Sequence, residues 1–75
     1  MPEIPCITAM EAIRAFERAG FSVCRTKKHH IMKRSGWPNR LSIPVHKGKT
    51  LGVGLLGSQI KAAGLTIEQF REFLK

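Results

Sequence analysis

Between Arg18 and Ile67 the chain has no aspartate and no glutamate. A carboxylate-bound metal site is therefore not expected in its middle, which argues against a two-metal nuclease centre. Cysteine is scarce: Cys6 and Cys24 are too few for a disulfide scaffold, so a reduced, cytoplasmic setting is the simpler expectation. No apolar run exceeds a few residues, so neither a membrane span nor a membrane partner is expected. The start MPEIPCIT has no basic stretch followed by an apolar one, and no secretory leader is expected there. With 75 residues the chain has room for one small core, read as a single domain over 1–75. A hydrophobic share of 43% with 24% charged residues argues that this domain folds.

Positive charge is what the chain has in excess. Thirteen Lys and Arg against five acids give a formal charge of +8. The five acids, Glu3, Glu11, Glu17, Glu68 and Glu72, lie towards the two ends. The acid-free window holds Arg18, Arg25, Lys27, Lys28, Lys33, Arg34, Arg40, Lys47, Lys49 and Lys61, together with His29, His30 and His46. So many like charges repel one another in a folded chain, and an anionic partner offsets that cost. Nucleic acid, an anionic surface or an acidic protein would each serve.

Thr8 and Glu11 have the spacing of a capping box, and Ala9, Ala12, Ile13 and Phe16 follow at helical period. A first helix is expected over 9–19, ended by Gly20. The period then changes. Phe21–Arg25 reads as a strand, Ile31–Lys33 as its hairpin partner across a polar turn at Thr26–His29, and Ser35–Asn39 as a second turn. Leu41–His46 alternates, with Leu41, Ile43 and Val45 on one face and Ser42, Pro44 and His46 on the other. Pro44 lacks a donor, which assigns this strand to an edge or to a distortion. After the basic loop Lys47–Thr50, Val53, Leu56, Ile60 and Ala63 return to helical spacing and Gly64 closes the helix. Gly54 and Gly57 weaken that helix by about 1 kcal/mol each relative to Ala, so packing must hold it. Thr66 and Gln69 cap a last helix with Ile67, Phe70, Phe73 and Leu74 on its apolar side. The fold class is α+β: a small three-stranded antiparallel sheet with helices on one face and the other face open.

Histidine is the residue suited to proton transfer near neutral pH. Beside clustered cations, an imidazole can take a proton from an RNA 2′-OH or give one to the leaving 5′-oxygen while Lys and Arg steady the phosphate. Neighbours on a strand face opposite ways, so at most one of His29 and His30 faces a shared site. Exposed turn histidines with no chemistry are the plainer reading of the same spacing. Cys6, Cys24, His29 and His30 match no zinc-finger spacing. Gly48-Lys49-Thr50 is no phosphate loop either, since position 43, where the upstream glycine belongs, is Ile43. Trp37, alone in a Gly/Pro turn, reads as a lid over the core edge rather than a base platform.

In order along the chain come Gly20-Phe21-x-x-x-Arg25, His30, Ile43-Pro44-x-His46, Leu51-Gly52-x-Gly54-x-Leu56 and Ala63-Gly64-Leu65-Thr66-x-Glu68-x-Phe70. This set resembles the HicA-type toxins, from about Ala12 to Leu74. The resemblance implies a double-stranded-RNA-binding-domain-like fold and a metal-independent endoribonuclease acting on mRNA, neutralised by a HicB-type antitoxin. It further implies His30 as the catalytic histidine, at the end of what is usually a Gly-Ser-His triplet; here Lys28 and His29 stand in place of Gly and Ser. A second departure is Leu55, where the family commonly has Thr. Expected RNA contacts are Arg25, Lys27, Lys28, His29, Lys33, His46, Lys47 and Lys49, with no metal and no cofactor. The competing expectation is an RNA-binding module of the same fold without catalysis, and a weaker third is a protein whose basic face meets an acidic partner.

Overall fold

A computed structural model describes residues 4–26 and 29–75. The first helix, α1 (Ala9–Arg18), opens at the expected capping box: the Glu11 N–H donates to Thr8 Oγ1 at 3.3 Å and the Thr8 N–H to Glu11 Oε1 at 3.2 Å. Ala9, Ala12, Ile13, Ala15 and Phe16 form its buried side. It ends where Gly20 adopts a φ of +104°, letting the Phe21 N–H reach back to the Phe16 carbonyl at 3.0 Å and the Gly20 N–H to that of Glu17 at 3.0 Å. A side chain at that φ is strained, so glycine is the residue that closes the helix here. The same pair of bonds ends α2 (Val53–Ala62), from Leu65 to Ile60 and from Gly64 to Lys61, with Gly64 at +74°. A third helix, α3 (Ile67–Leu74), begins at the capping box of Thr66 and Gln69.

Three antiparallel strands, β1 (Ser22–Arg25), β2 (His29–Lys33) and β3 (Leu41–Pro44), form one sheet in the order β1-β2-β3. The hairpin partner expected from Ile31 begins at His29, a residue assigned by composition to the polar turn. His29 pairs with Pro44 and His30 with Ile43, so both histidines belong to β2. At the other end β3 stops at Pro44, short of the His46 expected, because proline has no N–H with which to extend a ladder. The free edge of β3 is satisfied from the helix layer: the Ser42 N–H donates to Gln59 Oε1 of α2 at 2.9 Å. Together Gln59 and Pro44 blunt an edge that would otherwise recruit another strand.

Helices α1 and α2 lie against one sheet face, and α3 packs on α1 and α2 away from the strands. Phe16 sits at the centre, 4.9 Å from the Phe70 ring of α3 and 6.2 Å from Phe21. Met32, Leu41, Ile43, Leu56 and Ile60 are the other large side chains that are fully buried. Burying each such side chain contributes about 1.5–3 kcal/mol, which is how α2 survives its two glycines. An isolated bridge, Thr8 with Thr50, runs beside the Leu51 N–H to Ile7 carbonyl bond of 2.8 Å and joins the segments that lead into α1 and α2. The arrangement is the α-β-β-β-α order of a double-stranded-RNA-binding-domain-like fold, with one further C-terminal helix.

Candidate functional site

Directly opposed residues in an antiparallel pair point to the same face. His30 opposes Ile43, which is fully buried against the helices, so His30 faces the helix layer and is half-buried. Its Nδ1 is buried and has no hydrogen-bond partner among the described residues. By alternation His29, Ile31 and Lys33 take the opposite, open face, where Ile31 opposes Ser42 and Lys33 opposes Ser22.

Arg25 reaches that open face through an irregularity. Strict alternation would place it with Val23 on the helix side. Val23 opposes Met32 and Arg25 opposes Ile31, so Cys24 is an extra residue and a β-bulge turns Arg25 outward. The bulge is fastened by the Cys24 thiol, which donates to the Ile31 carbonyl at 3.3 Å. Arg25, His29 and Lys33 thus share one exposed face, while His30 occupies the other. His46, Lys47 and Lys49 sit in the exposed turn after β3, closed by the Lys49 N–H to His46 carbonyl bond of 3.1 Å, with Gly48 at a φ of +77°. Lys27 and Lys28 lie outside the described residues.

Arg40, one of the cations of the acid-free window, is not among the expected RNA contacts. The fold brings it to the open face, where Arg40, Leu41 and Ser42 line a groove with Cys24, Arg25 and Ile31. No composition signal marks this meeting; it depends on three strands in register.

Two other cations are structural. Arg18 Nη1 donates to the carbonyls of Phe73 at 2.7 Å and Lys75 at 2.6 Å, closing the end of α3. Arg34 lies over the rings of Phe21 at 5.1 Å and Trp37 at 4.9 Å, and its Nη1 donates to the Ala19 carbonyl at 3.3 Å. Trp37 in turn donates through Nε1 to the Ala62 carbonyl at 2.9 Å. It is the expected lid, fixed to the end of α2 and not free to stack on a base.

Glu11, Glu17, Glu68 and Glu72 all stand on α1 and α3. Among the described residues the one ion pair is Lys75 with Glu72, and Arg25, Lys33, Arg40, Lys47 and Lys49 make none there. The same residues contain no group of three or more His, Cys, Asp or Glu placed to hold a metal ion. No helix is long and apolar enough to cross a membrane among them.

Residues 9–65 match the family described as the HicA toxin of bacterial toxin–antitoxin. The match runs from Ala9, the first residue of α1, to Leu65 in the closing turn of α2 and contains the whole sheet. No curated protein matches the sequence.

Proposed function

The chain belongs to the HicA toxin family of bacterial toxin–antitoxin systems, and from that premise we propose that it is a metal-independent endoribonuclease that cleaves mRNA in the cytoplasm. A toxin of this kind has an antitoxin partner; in this reading the partner is of the HicB type and covers the basic surface with acidic or apolar groups. His30 acts as the general base or acid. The RNA 2′-oxygen attacks the adjacent phosphorus, the bond from phosphorus to the 5′-oxygen breaks, and the imidazole takes the 2′-OH proton or supplies the one the leaving oxygen needs. Exposed cations bind phosphates along the RNA strand.

One observation carries the reading: the buried Nδ1 of His30, without a partner among the described residues, at the position the resemblance gives to the catalytic histidine. An orphaned polar atom of this kind costs about 1–3 kcal/mol, a cost that a functional role for the imidazole accounts for. The acid-free window supports chemistry without a metal. The test is growth on induced expression of the chain and of His30→Ala, with the purified proteins incubated with RNA in EDTA. Arrest and cleavage by the parent and neither by folded His30→Ala are expected; equal toxicity of the two overturns the assignment.

The non-catalytic reading has its own support, since His30 and the trio Arg25, His29 and Lys33 face opposite ways. It requires RNA that is bound in a salt-dependent manner and recovered intact.

A further inference from the structure

The open-face groove stands apart from His30. It crosses all three strands: Cys24 and Arg25 from β1, Ile31 from β2, and Leu41 and Ser42 from β3, with Arg40 just before it. Its volume is about 320 Å3. Ile31, half-buried and opposed to Ser42, supplies an apolar floor, and the exposed Arg25 and Arg40 supply two guanidinium groups without a salt bridge among the described residues.

We propose that this groove is a nucleotide subsite for single-stranded RNA, its base lying on Ile31 and its phosphate held by Arg25 and Arg40. The inference rests on the ribonuclease reading and extends it to a second face of the sheet. Three features favour this occupant. A guanidinium can both fork a phosphate and stack on a base, and two of them beside an aliphatic floor suit a nucleotide better than a bare anion. A duplex hides the faces of its bases, whereas an unpaired strand offers them to an apolar floor. Basic side chains also continue beyond the groove, through Lys33 with His29 beside it on the same face, as a chain of phosphates requires and a single carboxylate does not. Because His30 looks the other way, a strand seated here meets the histidine only by passing around the sheet. The subsite therefore acts on affinity.

Cys24 provides a reporter inside the groove, and the exposed Cys6 an internal reference outside it. The experiment uses the His30→Ala chain, a short single-stranded RNA of mixed sequence, and iodoacetamide. RNA at saturation is expected to slow alkylation of Cys24 several-fold and leave Cys6 unchanged; the matching duplex is expected to protect Cys24 far less. In the same background Arg40→Ala is expected to weaken binding about five- to tenfold and to lower the salt slope by about 0.7, one phosphate contact on a single strand. Arg71→Ala, which removes a charge from α3, is expected to weaken it far less. RNA that binds normally while Cys24 alkylates at its free rate overturns the subsite and leaves the ribonuclease reading standing. Polyglutamate that protects Cys24 as well as RNA does reassigns the groove to an acidic protein and overturns it too. Absence of any RNA binding at low salt overturns the subsite together with the ribonuclease reading, and toxicity lost in His30→Ala with RNA binding retained separates the two.

Discussion

His30 is held in a position that suits an aliphatic residue. Its pair partner Ile43 is fully buried, its strand neighbour on the same face is the fully buried Met32, and its own Nδ1 has no partner among the described residues. Replacing a buried unsatisfied polar group with an apolar one of similar size removes a desolvation cost. His30→Met is therefore expected to raise stability by about 1 kcal/mol, or about 4–8 °C in melting temperature for a domain of this size, while abolishing RNA cleavage. Thermal melts and an RNA cleavage assay on the same preparation check both halves. A fall in melting temperature would mean that the histidine contributes to folding and that its orphaned nitrogen needs another account. Sequence spacing alone left His29 and His30 interchangeable, because a one-residue slip exchanges their faces.

Among the helices, α2 owes least to its own composition. Its N-cap, Gly52, makes no side-chain hydrogen bond and its first turn has no acid, in contrast to the capping boxes that open α1 and α3. Its glycines are not equivalent. A Cβ at Gly54 would meet nothing within 4 Å, whereas at Gly64, just past the helix, it would come within 2.7 Å of the Trp37 ring at a φ of +74°. Gly54→Ala is expected to add about 0.5–1 kcal/mol, since only the backbone entropy of the unfolded chain is affected. Gly64→Ala should cost at least about 2 kcal/mol, the left-handed conformation accounting for about 1–2 kcal/mol before the ring is displaced. Chemical denaturation of the two variants beside the parent gives the signs directly; equal values would mean that Trp37 does not lock the end of α2. Both helix ends were legible in the sequence as glycines after an apolar stripe. The Trp37 contact was not, because it joins a turn to a helix end 25 residues further along the chain.

For the molecule as a whole, charge is separated by layer. Every acid among the described residues stands on α1 or α3, and the open sheet face carries Arg25, His29, Lys33 and Arg40. Arg18 and Arg34 are engaged within the fold, so the formal +8 overstates what is available to a partner. If four or five phosphates are neutralised, the logarithm of RNA affinity should fall with that of salt at a slope of about −3, a loss of about sixtyfold between 50 and 200 mM. Binding isotherms across that range with the His30→Ala chain provide the measurement. A slope near zero would remove the phosphate backbone as the basis of recognition.

The sequence by itself determined the element order, two capping boxes, the glycines that end α1 and α2, the core phenylalanines and the acid-free window. All of these are written in short-range spacing, because turns, caps and helical period involve residues a few positions apart. Only the tertiary structure decided which way the functional side chains face. The pairing of His30 with Ile43 turned the histidine inward, and the bulge at Cys24 turned Arg25 outward. Arg40 joined them only when β3 came into register beside β2. Side-chain direction in a sheet follows register, and register is settled by the fit of an apolar face to the helices, which no local window of sequence contains.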